Sequence, residues 1–280
     1  MNRDTCESSP ERSPRHARGR IPDGECTPPS EGSGALIADR GPLQLGVIGY
    51  GAIARPVVDF IRSGRLPGWK LQAVLRRTQS TSSHDWMVSD ADSFFSRRHD
   101  LIVEAAGPSA LALHAVRAIQ VSDIWSVSGA ALCDDSLLAA ITTAGASSGN
   151  RLRLVAGAIA GLDGLSAVSA IPTPTDVHIG LSAPAQHDRF YEGTVREAAK
   201  LFPDSVNVAA AAALAGSGLD ATRVALSEAR SLPHELTMAA RSSVGEVQTV
   251  FRPCADGAIH PVAASVIAAL RQELNVVWVG

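Results

Sequence analysis

Leu43-Gln-Leu-Gly-Val-Ile-Gly49-Tyr-Gly51-Ala-Ile-Ala54 is the stretch that decides the fold. The apolar run Leu43 to Ile48 ends in Gly-x-Gly-x-x-Ala, and a helical pattern follows over Ala52 to Ile61, with Ile53, Val57, Phe60 and Ile61 on one face. An unbroken apolar run of this length suits a parallel strand buried on both sides. Pro56 falls in or near the first turn of the helix, where a missing N–H costs nothing. Each small residue of the turn has a task. Gly49 permits the sharp reversal, Gly51 lets backbone approach a pyrophosphate, and Ala54 lets helix pack on strand. The N–H groups around Ala52 and Ile53, where the helix opens, offer partial positive charge to phosphates. The stretch predicts a dinucleotide site at the head of a βαβ series.

Outward from that turn, strand and helix alternate. Lys70–Leu75, Asp100–Glu104, Ile124–Val127 and Arg151–Val155 read as strands, with helices over about Ser109–Ile119 and Asp134–Ala146. Short connections between alternating elements predict an α/β fold, a Rossmann-type doubly wound parallel sheet over residues 42–156. After Ala156 the pattern changes. A weakly amphipathic helix follows Gly157–Gly161. Val177–Leu181, Glu235–Ala240 and Gly245–Phe251 are strand-like, and Glu192–Leu201 and Asn207–Leu214 are helical. Strands without βα alternation predict a second, α+β substrate and oligomerisation domain over 157–260, built on an antiparallel sheet. Pro261–Leu274 is a final helix, with residues 261–280 expected to return to the first domain. Residues 1–41, rich in Pro, Ser, Gly and Arg, have no apolar face and read as a disordered extension.

Composition narrows the function. The chain is 280 residues long, 45% apolar and 19% charged, with a net charge of −3. That balance gives no reason to expect a nucleic acid partner. No stretch approaches the roughly 20 apolar residues that span a bilayer, so no membrane association is expected. The N-terminus lacks the apolar core of a secretory leader, and the expected location is cytoplasmic. Cys6, Cys26, Cys133 and Cys254 form no close pair, which argues against a disulfide framework or a metal site. Lys70 and Lys200 are the two lysines, every other cation being Arg, so lysine-based chemistry has two candidates.

The second strand ends Val74-Leu75-Arg76-Arg77. An acid that binds ribose hydroxyls is usual near this place; none is present. Two arginines there suit the 2′-phosphate of NADP through forked, charge-assisted hydrogen bonds, or are simply solvated charges after a strand. The cofactor expected is NADP or NAD.

Further motifs carry a family resemblance. Val103-Glu-Ala-Ala106, Ser128-Gly-Ala-Ala-Leu-Cys-Asp134, Gly157-Ala-Ile-Ala-Gly-Leu-Asp163, Tyr191-Glu-Gly-Thr-Val-Arg-Glu-Ala198, Phe202-Pro-Asp-Ser-Val-Asn-Val-Ala-Ala210 and Pro233-His-Glu-Leu236 stand in this order. Their order and spacing resemble the L-aspartate dehydrogenases over about Leu43 to Leu270. The resemblance implies a homo-oligomer that oxidises L-aspartate, a small-molecule substrate, to iminoaspartate with NAD or NADP. The imine then hydrolyses to oxaloacetate and ammonia or feeds nicotinamide biosynthesis. It also implies that His234 is catalytic and that Ala131 and Asn207 contact the cofactor.

Chemistry agrees with those positions. Hydride loss from Cα requires a neutral amine, and His has the side-chain pKa best matched to taking its proton. Asn207, opening a helix, is placed either to cap it or to orient a nicotinamide amide. Two substrate carboxylates call for cations or aimed N–H groups. Arg189, Arg196, Arg223, Arg230, Arg241 and Arg252 are the arginines available, and Gly157–Gly161 is either an anion cradle or a hinge. The chain departs from the family where many members carry Asp-Pro, reading Ser227-Glu228. It departs again where they carry an Asn-Pro-Lys-Thr-Ser type run, reading Ile259-His-Pro-Val-Ala-Ala-Ser265. A basic residue of the family is replaced within Ser182-Ala-Pro-Ala185. Two other readings compete: a reductase of the dihydrodipicolinate or homoserine-dehydrogenase type, and a dinucleotide-binding sensor or assembly subunit without turnover.

Overall fold

In the computed structural model, Leu43–Ile48 forms the strand β1, and its side chains explain the layers on either side. Leu45 and Val47 point to one face and Ile48 to the other, all buried, as the two-residue period of a strand dictates. The structure describes residues 41–78, 84–171, 176–183, 191–228, 235–254 and 257–277. The N-terminal extension therefore lies, but for Gly41, outside the described residues, as does His234.

Five further strands join β1: β2 (Trp69–Leu75), β3 (Met87–Val88), β4 (Leu101–Glu104), β5 (Ile124–Ser126) and β6 (Leu152–Leu154). All pairings are parallel and the order is β3-β2-β1-β4-β5-β6, the doubly wound arrangement expected. Helix α1 (Ala54–Arg62) packs on one face, inserting Val57, Val58 and Ile61. Helices α2 (Ala91–Phe95), α3 (Pro108–Val121) and α4 (Asp135–Ser148) cover the other, through Phe94, Leu111, Ile119 and Ile141. Each fully buried Leu, Ile or Val contributes about 2 kcal/mol. The sequence reading missed the short β3 and α2, whose few residues carry little periodicity.

The second sheet holds β7 (Asp176–Ala183), β8 (Tyr191–Thr194), β9 (Arg223–Glu228), β10 (Leu236–Arg241) and β11 (Glu246–Phe251). Their order is β11-β10-β7-β9-β8. The expected antiparallel sheet is in fact mixed, because β7 and β9 pair parallel. Helices α5 (Leu162–Ser169), α6 (Val195–Leu201) and α7 (Asn207–Ala215) cover one face, against Val177, Ile179, Val224 and Met238. A second correction concerns 192–201. This segment is a strand then a helix, divided at Thr194, whose side chain and Glu197 form a reciprocal capping box.

The last helix, α8 (Pro261–Glu273), returns to the first sheet beside α1, burying Ala263, Val266, Ile267 and Leu270. Trp69 Nε1 donates to the Leu270 carbonyl at 2.9 Å, fixing the helix against the start of β2.

Candidate active site at the switch point

The strand order reverses between β1 and β4, and the carboxyl ends of these strands frame the site. Gly49 is held there from both sides. Its N–H donates to the Leu75 carbonyl at 2.8 Å, and the Ala105 N–H donates to the Ile48 carbonyl at 2.9 Å. Gly49 has φ +102°, and a Cβ on it would lie 2.8 Å from the Ala106 Cβ and 2.9 Å from the Ala105 oxygen. Only glycine closes this turn without strain. At Gly51 a Cβ would meet nothing within 4 Å, so the backbone is open on the side where a pyrophosphate would lie. Ala52 is exposed, Ile53 is the cap residue before α1, and no side chain caps that helix start. This geometry fits a dinucleotide.

Arg76 directly follows Leu75, the residue bonded to Gly49, and is thereby set at the rim beside the turn. Its N–H donates to the Val88 carbonyl at 2.9 Å, and its guanidinium lies 3.8 Å from the Met87 sulfur. Arg77 is exposed.

Beneath the turn sits a carboxylate whose role the motif Val103–Ala106 does not reveal. Glu104 ends β4 fully buried. One carboxylate oxygen accepts from the Ala106 N–H at 2.7 Å and the Gly107 N–H at 3.0 Å; the other accepts from Ser126 Oγ at 2.6 Å. Ser126 Oγ in turn accepts from the Ser128 N–H at 3.0 Å. Burial raises the Glu104 pKa, against the opposing hydrogen bonds from Ser126, Ala106 and Gly107. The residue ties the loops after β4 and β5 together beside Gly49.

Beyond β5 the chain makes a 3-10 turn, Gly129–Cys133. Asn207 Oδ1 accepts from the Ala130 N–H at 3.1 Å, and its Nδ2 donates to the Asp204 carbonyl at 3.2 Å. The cap of α7 is Val206, so Asn207 does not serve its own helix start by a side-chain cap; it bridges to the first sheet's turn. Gly129 permits that approach, since a Cβ there would lie 2.7 Å from the Asn207 carbonyl oxygen. Ala131 lies in the same turn, donating to the Ser128 carbonyl and accepting from the Asp134 N–H. It packs towards α3 and α4.

Between these elements runs a cleft of about 200 Å³. Its walls are Ile53, Val127 and Gly129, then Leu154 to Gly157 at the end of β6, Asp204 and Ser205 just before α7, Asn207, Val208 and Ala211 on α7, and His260 and Val262 at the start of α8. Of the residues predicted from sequence, the structure brings Ile53 and Asn207 to this cleft, with Gly49, Gly51 and Ala52 on the adjoining turn. Gly157 lines it too, while Gly161 caps α5. Gly129 and Asp204 were not expected there, and His260 brings in the run Ile259–Ser265 that departs from the family pattern.

The arginines considered for substrate carboxylates separate. Arg196 is committed to Asp220 at 2.6 Å, Asp135 at 3.0 Å and the Cys133 carbonyl at 2.9 Å, a clamp between α6 and the loop leading into α4. Arg252 pairs with Glu235 at 2.6 Å, Arg223 lies on the outer face of the second sheet and Arg241 ends β10, exposed. Arg189 and Arg230 lie outside the described residues. Lys70, at the opening end of β2, and Lys200, on α6, do not line the cleft.

Comparison with known proteins decides the family. Over 260 residues the chain is 32% identical to L-aspartate dehydrogenase 2 of Bordetella bronchiseptica, which spans 82% of this chain and 97% of that one. The chain belongs to the L-aspartate dehydrogenase family. Another member of the family, from Ruegeria pomeroyi, is 31% identical over 82% of this chain and 92% of its own length. The family model described as aspartate dehydrogenase, C-terminal, matches residues 165–273. The model described as homoserine dehydrogenase, NAD binding domain, matches residues 49–154, so the first sheet and its helices are an NAD-binding domain. Among solved structures, aspartate dehydrogenase from Thermotoga maritima shares the fold, with a TM-score of 0.69 at 20% identity over 85% of this chain and 99% of that one.

Proposed function

We propose that this chain catalyses the NAD(P)-dependent oxidative deamination of L-aspartate, through iminoaspartate to oxaloacetate and ammonia, or the reverse amination. The observation that carries the proposal is the cleft that runs from Ile53, next to the Gly49–Gly51 turn, to Asn207 in a chain of this family. When bound, the dinucleotide accepts the hydride from the substrate Cα. The backbone of Gly49, Gly51, Ala52 and Ile53 would hold its pyrophosphate, and Arg76 a 2′-phosphate. Asn207 and the turn at Ala131 would orient its nicotinamide end. His234, outside the described residues, takes a proton from the substrate amine so that nitrogen electrons form C=N as the Cα–H pair leaves. It returns that proton as water adds to the imine and ammonia departs.

Residues 42–156 and 157–260 are read as the two domains, with 261–280 returning to the first. A homo-oligomer is read from the second sheet. Its outer face, with His178, Thr237, Ala239 and Val250, frames a shallow groove of about 430 Å³, and Val250 is 51% exposed. Contact between two such faces would cover it. A cytoplasmic location is part of this proposal, supported by cysteines that form no close pair in the sequence; among the described residues no helix is long and apolar enough to cross a membrane.

The test is reduction of NADP and NAD with L-aspartate at alkaline pH, by the wild type and by His234→Ala. Turnover by the wild type, with most of the rate lost in the variant while dinucleotide binding persists, supports both assignments. Dinucleotide binding by a wild type that leaves aspartate unoxidised would sink the substrate assignment and favour a sensor.

A further inference from the structure

His260 occupies an unusual position for a helix cap. It precedes Pro261, the first residue of α8, and its Nδ1 accepts a hydrogen bond from the Val262 N–H at 3.2 Å. A ring nitrogen that accepts carries no proton, so the neutral imidazole must carry its proton on Nε2. His260 also lines the interdomain cleft, together with Ile53 and Asn207. Desolvation lowers the pKa of His260, which favours that neutral form. The cap thus sets the tautomer and leaves the ring one polar function to offer the cleft, an N–H donor.

The cleft needs such a donor. Among the described residues lining it there is neither Lys nor Arg, and its charged side chain is the carboxylate of Asp204. A dicarboxylate entering here brings oxygens that only accept. Apolar groups such as Ile53, Val155 and Val208 give them nothing, and Asn207 already spends its side chain on Ala130 and Asp204, which leaves the Ser205 hydroxyl and the His260 ring as the side-chain donors on its wall. We infer that His260 is a substrate-binding residue, its Nε2–H donating to a carboxylate of the dicarboxylate amino acid. The inference rests on the substrate class proposed above and adds to it a specificity-determining contact.

His260→Ser separates this role from the cap, since serine caps a helix start as well as any residue but does not carry a donor as far into the cleft. Succinate, an unreactive dicarboxylate, is titrated calorimetrically into NADP-loaded wild type and variant, and thermal unfolding is followed in parallel. The expected result is succinate affinity about tenfold weaker in the variant, the loss of one hydrogen bond to a charged group, with Tm and NADP affinity unchanged. Equal succinate affinity in the two proteins overturns the inference, as does weakened NADP binding with succinate affinity unchanged. Succinate binding is measured without turnover. A wild type that binds it and leaves aspartate unoxidised refutes the reaction proposed above while the His260 contact is still decided by the variant.

Discussion

Asn207 Oδ1 accepts the Ala130 N–H at 3.1 Å, so the first residue of α7 is bonded to the turn that follows β5. One side chain thereby joins the second domain to the NAD-binding domain at the wall of the cleft. Replacing it with Ala leaves the Ala130 N–H without this acceptor in a half-buried place, a cost of about 1–2 kcal/mol. Asn207→Ala is expected to weaken NADP or NAD binding by about tenfold and to lower Tm. Asn207→Asp keeps the acceptor and is expected to retain more of the stability. Fluorescence titration of the dinucleotide and thermal unfolding of both variants check this; an unchanged dinucleotide affinity in Asn207→Ala would show that the bond is structural alone.

The two glycines of the turn should fail in different ways. At Gly49, φ +102° and the nearby Ala105 oxygen make any side chain strained. Gly49→Ala is expected to lose about 1–3 kcal/mol of stability. A Cβ at Gly51 meets nothing within 4 Å, so Gly51→Ala should unfold with the wild-type Tm yet bind dinucleotide poorly, because the methyl group occupies the approach of the pyrophosphate. Equal loss of stability in both variants would contradict this division.

Arg76 lies at the rim of the turn, next to the residue bonded to Gly49, and no acid accompanies it at the end of β2. Arg76→Ala is expected to raise KM for NADP by about tenfold, the loss of a charge-assisted contact, while KM for NAD changes little. Steady-state kinetics with both cofactors decides it, and a parallel loss for the two would remove the 2′-phosphate from the argument.

Glu104 makes a prediction about pH. Its carboxyl is raised above the ordinary value of 4.5 by burial. The folded protein then holds this proton more tightly than the unfolded chain does. The stabilisation is complete below the unfolded pKa and is lost as pH rises from about 4.5 through the raised value. Glu104→Gln keeps an acceptor for the Ala106 and Gly107 N–H groups and does not titrate, its NH2 facing Ser126 Oγ as the O–H of the protonated carboxyl would. Its stability should stay within about 1 kcal/mol of wild type at low pH and gain on it as pH rises. Glu104→Ala strands three polar groups and is expected to cost about 3 kcal/mol. Urea unfolding between pH 4 and 8 tests the point; parallel profiles for wild type and Glu104→Gln would refute it.

The first domain was legible because its signals are local. Leu43–Ile48 reads as a strand by its apolar run, Val57 and Ile61 mark a helix face by spacing, and a Gly-rich turn between them has one common architecture. The second domain was less so. Arg223-Val-Ala-Leu-Ser-Glu228 alternates only weakly and became a strand because β7 and β8 flank it with open backbone groups. The capping box at Thr194 and Glu197 was readable as a Thr-x-x-Glu pattern and still passed as the interior of a longer helix.

By itself, then, the sequence determined the doubly wound domain, the dinucleotide turn and the family, all of which rest on residues near one another in the chain or on motif order. Only the tertiary structure decided that β7 and β9 run parallel, that Arg196 is spent on a clamp, that Glu104 is buried beneath the turn and that His260 and Asn207 line one cleft. Pairing, burial and desolvation depend on which distant segments come to lie against a residue, and for Glu104 and His260 that surrounding is assembled from several separate strands, turns and helices.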